Sequence, residues 1–258
     1  MTRSPMATRA LLAAGILGLS MLALAAQAGA TQLYDANVTP DVIFGSGNAN
    51  GAWTVDRDVQ HNAEVGLRAK VRGANVFNSN GDGTYSHDTG ISSGTAAKWN
   101  FEFAINTNFD GASSNDRTLD TVLVVLRVDI DPTAGVNFIN IDPFDPLTGG
   151  WTDNSLGSNG TANGAGVETG QLDLYTVAQN SQNLGWLLPS LSFPFDPFAN
   201  GIYDFQLDLY SGGEVLLAST SMRVLVGDVE VPEPATLALL GTGLAGLGFS
   251  AWRRRRAR

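Results

Sequence analysis

Three stretches in the middle of this chain alternate apolar and polar residues with a period of two, and that alternation is the strongest constraint on what it can fold into. In Glu64 to Arg72, Val65, Leu67, Ala69 and Val71 point one way, while Glu64, Arg68, Lys70 and Arg72 point the other. In Lys98 to Ile105, Trp99, Phe101, Phe103 and Ile105 oppose Lys98, Asn100 and Glu102, and in Ile202 to Tyr210, Tyr203, Phe205, Leu207 and Leu209 oppose Asp204, Gln206 and Asp208. Successive side chains leave opposite faces of a strand, so each stretch reads as a strand with one dry face. Thr121 to Val128 differs, because Val122 to Leu126 is continuously apolar, which predicts a central strand covered on both sides. Weaker strand candidates are 32–38, 52–56, 137–141, 171–177 and 214–226. No sustained helical periodicity lies between them. Several one-sided strands without intervening helices predict an all-β fold of two sheets packed face to face, a β-sandwich, with the jelly roll as one such arrangement.

The composition agrees with short strands and many turns. Thirty glycines and a charged fraction of only 16% disfavour long surface helices. There is no cysteine, which excludes disulfides, Cys-based zinc sites and thiol chemistry together. Two stretches interrupt the strand pattern, Asn75 to Gly94 and Asp142 to Gly170. The second is long for a structureless connection and reads as either a functional rim loop or a disordered insertion. With no fixed repeat and no second core, residues 29–230 read as one domain.

Both ends carry targeting signals. Arg3 and Arg9 precede an uncharged run from Ala10 to Ala26, followed by Gln27, Ala28, Gly29 and Ala30. This is the basic, apolar and small-residue order of a cleavable signal peptide, assigned to 1–28, with cleavage after Ala28 or Ala30 satisfying the small-x-small rule. Near the other end Val231-Pro232-Glu233-Pro234 forms a stiff, extended segment, because its prolines exclude helix and central strand. No charge occurs among the 18 residues from Ala235 to Trp252. At about 1.5 Å per residue they form a helix of about 27 Å, enough to span a bilayer core. Arg253, Arg254, Arg255, Arg256 and Arg258 follow, a cluster that the positive-inside rule keeps cytoplasmic, which puts the ectodomain outside the inner membrane.

The V-P-E-P motif, the Gly-, Ala- and Leu-rich apolar helix and the terminal arginines together resemble the PEP-CTERM sorting signal. The resemblance covers 231–258, with the motif at 231–234, the transmembrane helix at 235–252 and the arginine cluster at 253–258. It implies a precursor exported by the Sec machinery, held briefly in the inner membrane and then released or transferred by an exosortase, in Gram-negative bacteria that make exopolysaccharide. Pro232, Glu233 and Pro234 would be the recognition element, and the five arginines the stop-transfer signal. Segments 43–56 (IFGSGNANGAWTVD) and 75–90 (NVFNSNGDGTYSHDTG) loosely resemble ectodomains of the same class, without implying an activity.

The charge balance narrows the partners. Of 15 Lys and Arg, two lie in the leader and five in the tail, leaving eight; 24 of the 25 acids remain, so the ectodomain carries about −16. A surface of that sign excludes nucleic acid as a ligand and suits solubility or divalent cations.

Catalytic patterns are sparse. Gly90-Ile91-Ser92-Ser93-Gly94 has nucleophile-elbow spacing, but His61 and His87, the two histidines, lie upstream rather than downstream of it. Gly241 to Gly246 matches a dinucleotide fingerprint inside the apolar tail, without the preceding strand that motif requires. Paired carboxylates for glycoside hydrolysis are available in number, yet no pair stands out. The ligand-like constellation is Asn78, Asn80 and Asp82 with Gly83 sixth in the run, oxygen donors at alternate positions as in a calcium loop. Asn78 replaces the usual first Asp and Thr89 the usual twelfth Glu, and an Asn/Asp/Gly hairpin turn accounts for the same residues. The expected function is a non-enzymatic, exported cell-envelope or extracellular-matrix protein needing no cofactor. The alternative is a carbohydrate-binding or carbohydrate-cleaving β-sandwich, which an exposed aromatic row or two acids facing across a cleft would favour.

Overall fold

The computed structural model describes residues 30–111, 117–144, 155–168 and 170–229. The leader and the sorting tail, with Pro232, Glu233, Pro234 and Arg253 to Arg258, lie outside the described residues. In chain order the strands are β1 (Ala30–Ala36), β2 (Trp53–Asp58), β3 (Ala63–Val71), β4 (Thr84–His87), β5 (Ile91–Ser93), β6 (Ala96–Ala97) and β7 (Trp99–Asn106). They continue with β8 (Val122–Asp129), β9 (Phe138–Ile141), β10 (Leu156–Gly157), β11 (Val177–Gln182), β12 (Gly201–Ser211) and β13 (Leu216–Val226). One short helix, α1 (Leu184–Ser190), follows β11.

The strands form a six-stranded sheet in the order β1-β2-β3-β7-β11-β10 and a five-stranded sheet in the order β4-β13-β12-β8-β9, with β5 and β6 as a separate hairpin. Pairing is antiparallel except between β4 and β13. Register aligns the apolar faces: Val65, Leu67, Ala69 and Val71 of β3 stand opposite Ile105, Phe103, Phe101 and Trp99 of β7. In the other sheet Phe205, Leu207 and Leu209 stand opposite Val128, Leu126 and Val124. These two faces meet in one core, where Phe101 and Phe205 pack with ring centroids 4.7 Å apart and Trp99 meets Phe205 edge-on. Each such side chain contributes about 1.5–3 kcal/mol through burial.

The coverage of individual strands departs from expectation. Strands β3 and β7, read as dry on one side, are buried along both faces. The segment 37–52 lies over their outer face, where Val38, Val42 and Phe44 pack with Trp53, Val55 and Ala104 in a second apolar cluster. Conversely β8, read as covered on both sides, leaves Leu123 47% exposed on its outer face. The candidate 171–177 becomes a 3-10 turn at Leu172–Leu174, with the strand beginning only at Val177. The pattern-free stretch 75–94 supplies β4, whose Tyr85 is fully buried. In the long 142–170 stretch, Leu156–Gly157 joins the edge of the six-stranded sheet against Val177 and Ala178, and Val167 bridges back to Leu156.

Candidate functional site

The three residues singled out for calcium occupy one exposed turn before β4. Asn80 N–H donates to the Thr84 carbonyl at 2.9 Å, and Ser86 N–H donates to the Asn78 carbonyl at 3.0 Å. Asp82 Oδ1 accepts from the Thr84 N–H at 3.0 Å and from its hydroxyl at 2.7 Å. Those two hydrogen bonds hold the Asp82 carboxyl below its usual range. Asn80 Nδ2 donates to Thr84 Oγ1 and to Ser86 Oγ. Gly83 sits at φ +86°, and a Cβ there would come within 2.9 Å of the Tyr34 ring. The side chains thus tie the turn to itself. Among the described residues no three His, Asp or Glu side chains converge.

That turn borders a groove of about 330 Å³ lined by Tyr34, Phe138, Asp82, Asp204, Gln206 and Arg223. Both Asp204 oxygens accept from Arg223, each at 2.7 Å. A glycosidase acid must be held protonated near neutrality, whereas Asp82 is shifted in the opposite direction.

A second groove, of about 320 Å³, opens on the outer face of the six-stranded sheet. Lys70 and Asn100 form its floor with Ser181; Phe44 and Asn48 come from the covering segment, Arg72 from the end of β3, and Ser92 and Ser93 from β5. The floor is built on charge. Arg68 Nε donates to Glu102 Oε2 at 2.6 Å, and Lys70 Nζ lies 2.9 Å from Glu102 Oε1. Arg68 is sandwiched between Trp53 and Phe77, 4.2 and 4.3 Å from their ring centroids. Its Nη1 donates to the Ala49 and Gly51 carbonyls, pinning the covering segment. Burial pulls the Arg68 guanidinium below the usual arginine range, and Glu102 opposes that shift.

The amides of this groove are oriented by hydrogen bonds. Lys70 Nζ donates to Asn48 Oδ1 at 2.6 Å, while Asn48 Nδ2 donates to the Phe44 and Gly45 carbonyls. Asn100 Nδ2 donates to Ser181 Oγ at 2.8 Å, and Asn100 Oδ1 accepts from Asn183 Nδ2 at 2.8 Å. Asn183, wholly buried, also accepts from Gly185 N–H and so caps α1. That cap places Trp186, 45% exposed, where the Arg72 guanidinium stacks 4.3 Å from its ring centroid.

The alternation places Arg68, Lys70 and Arg72 on one face but gives no sign that this face is covered. The available signal was clustering: Arg68, Lys70, Arg72 and Lys98 are four of the eight ectodomain cations. Ser92 of the elbow-like motif lies on the β5–β6 hairpin, and its hydroxyl donates to the Ala97 carbonyl. His87 is buried with its ring stacked on Trp99. Among the described residues no helix is long and apolar enough to cross a membrane; the segment expected to do so, 235–252, lies outside them.

Comparison with known families finds the PEP-CTERM protein-sorting motif at residues 230–256. No curated protein and no solved structure matches the chain.

Proposed function

Because residues 230–256 are a PEP-CTERM protein-sorting motif, we propose that the protein is an exosortase substrate that reaches the cell envelope or extracellular matrix and acts there without catalysis. The tail carries this reading. Its paired prolines, charge-free 18-residue segment and arginine cluster occur in the order that a transient inner-membrane stop requires. The described domain is then a β-sandwich ectodomain in the periplasm until release. A non-enzymatic role is supported by the engagement of the candidate groups elsewhere: Asp204 is bound by Arg223, Asp82 by Thr84, and His87 is enclosed against Trp99.

The test is processing in the native host. Changing Glu233 to Ala, or both Pro232 and Pro234 to Ala, should leave full-length precursor in the inner membrane. Normal release of these variants would refute the recognition role. For the absence of catalysis, a panel of polysaccharides should show no reducing-end release; turnover abolished by one Asp or Glu substitution would establish a glycosidase instead.

A carbohydrate-binding role is the second reading, favoured by one observation. Trp186 stands 45% exposed, stacked under Arg72, beside a groove lined by amides and hydroxyls. Planar aromatic surfaces next to fixed polar groups are the usual means of holding a ligand with an apolar face and a polar rim.

A further inference from the structure

We infer that the groove between Asn48, Lys70, Arg72 and Ser181 binds an acidic sugar residue through its carboxylate. This deepens the carbohydrate-binding reading, on which it rests, and is independent of the sorting tail.

The first ground is charge. The groove lining holds two cations, Lys70 and Arg72, and no carboxylate, in a domain with 24 acids against eight bases. Elsewhere Arg57, Arg127 and Arg223 each bind a carboxylate. Among the described residues neither Arg72 nor Lys98 has one. These two stand opposite each other at the end of the β3–β7 ladder, where Arg72 N–H donates to the Lys98 carbonyl at 2.7 Å. Like charges directly across a strand pair are destabilising. An anion bound between them would remove that repulsion. The Lys98 stem runs along Gly90, where a Cβ would stand 3.0 Å from Lys98 Cε, beside the hairpin carrying Ser92 and Ser93.

The second ground is the state of the donors. Lys70 is only 5% exposed; of the three N–H groups of its ammonium one donates to Asn48 Oδ1, while Glu102 Oε1 lies 2.9 Å away as its counter-charge. Ser181 Oγ accepts from Asn100, which leaves the serine hydrogen to donate. The Arg72 guanidinium lies over Trp186, Cζ 4.3 Å from the ring centroid, and no carboxylate among the described residues pairs with it; a guanidinium can take a carboxylate through two parallel N–H groups. Donors fixed before binding lose little entropy on binding. The third ground is shape. At about 320 Å³ the groove is small and open to solvent, with Phe44 as its aromatic lining residue and the half-exposed Trp186 beside it under Arg72.

The test uses the full chain in mild detergent and three probes: an oligogalacturonate, the same oligomer with its carboxyls reduced to alcohols, and inorganic phosphate. A charge-assisted hydrogen bond contributes about 1.5–3 kcal/mol, so the reduced oligomer should bind at least about tenfold more weakly. Arg72→Gln should weaken oligogalacturonate by about tenfold and Arg72→Gln/Lys98→Gln further, with the melting temperature unchanged. Arg127→Gln, which removes the same charge from the other sheet, should bind as the wild type does. Equal binding of acidic and reduced oligomers would overturn the carboxylate assignment and leave the carbohydrate reading standing. Binding of neither would overturn both. Competition by phosphate at the same concentration, or an equal loss in Arg127→Gln, would show a generic charge effect and also overturn it.

Discussion

Arg68 and Glu102 form an ion pair, Nε to Oε2 2.6 Å, in which neither side chain reaches solvent. The pair lies on the outer face of a sheet, a position where surface charges normally meet water. It is dry because Trp53, Phe77 and the segment 37–52 cover it, and Arg68 in turn holds that segment through the Ala49 and Gly51 carbonyls. Glu102 also holds Lys70 in the groove floor. A buried pair adds little net stability relative to apolar packing, but removing one partner strands the other.

Glu102→Gln should therefore destabilise the domain by about 3–5 kcal/mol, because two buried cations lose their only shared anion. Urea unfolding followed by tryptophan fluorescence measures this. Arg68→Met/Glu102→Leu, which removes the pair together, should cost clearly less than the sum of the two single changes. Additive costs would show that the pair is not the structural unit proposed.

His87 predicts an acid-sensitive stability. Burial pushes its imidazole down to about 4 from an ordinary value of 6.5, and Nε2 has no hydrogen-bond partner. The folded state thus resists a proton that the unfolded state accepts. Stability contributed by neutral His87 is full above pH 6.5 and is lost as pH falls from 6.5 toward 4, to a total of about 3 kcal/mol. His87→Phe keeps the ring against Trp99 and should flatten this slope. Asp56 and Glu64, whose carboxyls burial pushes up, titrate in both proteins and cancel in the difference. Equal pH slopes for wild type and variant would refute the assignment.

Asp82 separates the turn from the calcium loop. Its carboxylate accepts both Thr84 donors, so Asp82→Ala should lower stability by about 1 kcal/mol with or without metal. Millimolar calcium should leave the melting temperature of the wild type unchanged. A rise that Asp82→Ala abolishes would establish calcium at Asn78, Asn80 and Asp82, since a ligand that binds the native state alone stabilises it.

The mature N-terminus should be Gly29. Ala30 pairs with Asp58 as the first rung of the β1–β2 ladder. Cleavage after Ala28 leaves that rung whole, whereas cleavage after Ala30 removes it. N-terminal sequencing of exported protein decides between them, and Thr31 as first residue would show that the rung is dispensable.

Alternation was enough to locate β3, β7 and β12, and a continuous apolar run to locate β8, because both patterns are properties of one strand and its own side chains. The C-terminal sorting motif was legible for a similar reason: apolar length, charge and proline act locally on the chain. Coverage was not legible. Arg68, Lys70 and Glu102 carry the polarity of a wet face, and only the return of segment 37–52 across that face makes it an interior. Val125 and Leu123 carry the polarity of a covered face, yet among the described residues Leu123 is left exposed. Strand β11 escaped because Gln179 and Asn180 are polar but buried; Gln179 Oε1 accepts from Ile43 N–H across 136 positions of sequence. The groove is the same case. Its lining comes from 44–48, 70–73, 92–100 and Ser181, and strand register together with the Asn183 hydrogen bond to Asn100 brings them to one place. Side-chain chemistry along the chain determined where the regularly patterned strands and the C-terminal sorting motif lie; long-range packing alone decided which polar faces are dry and which cations stand together.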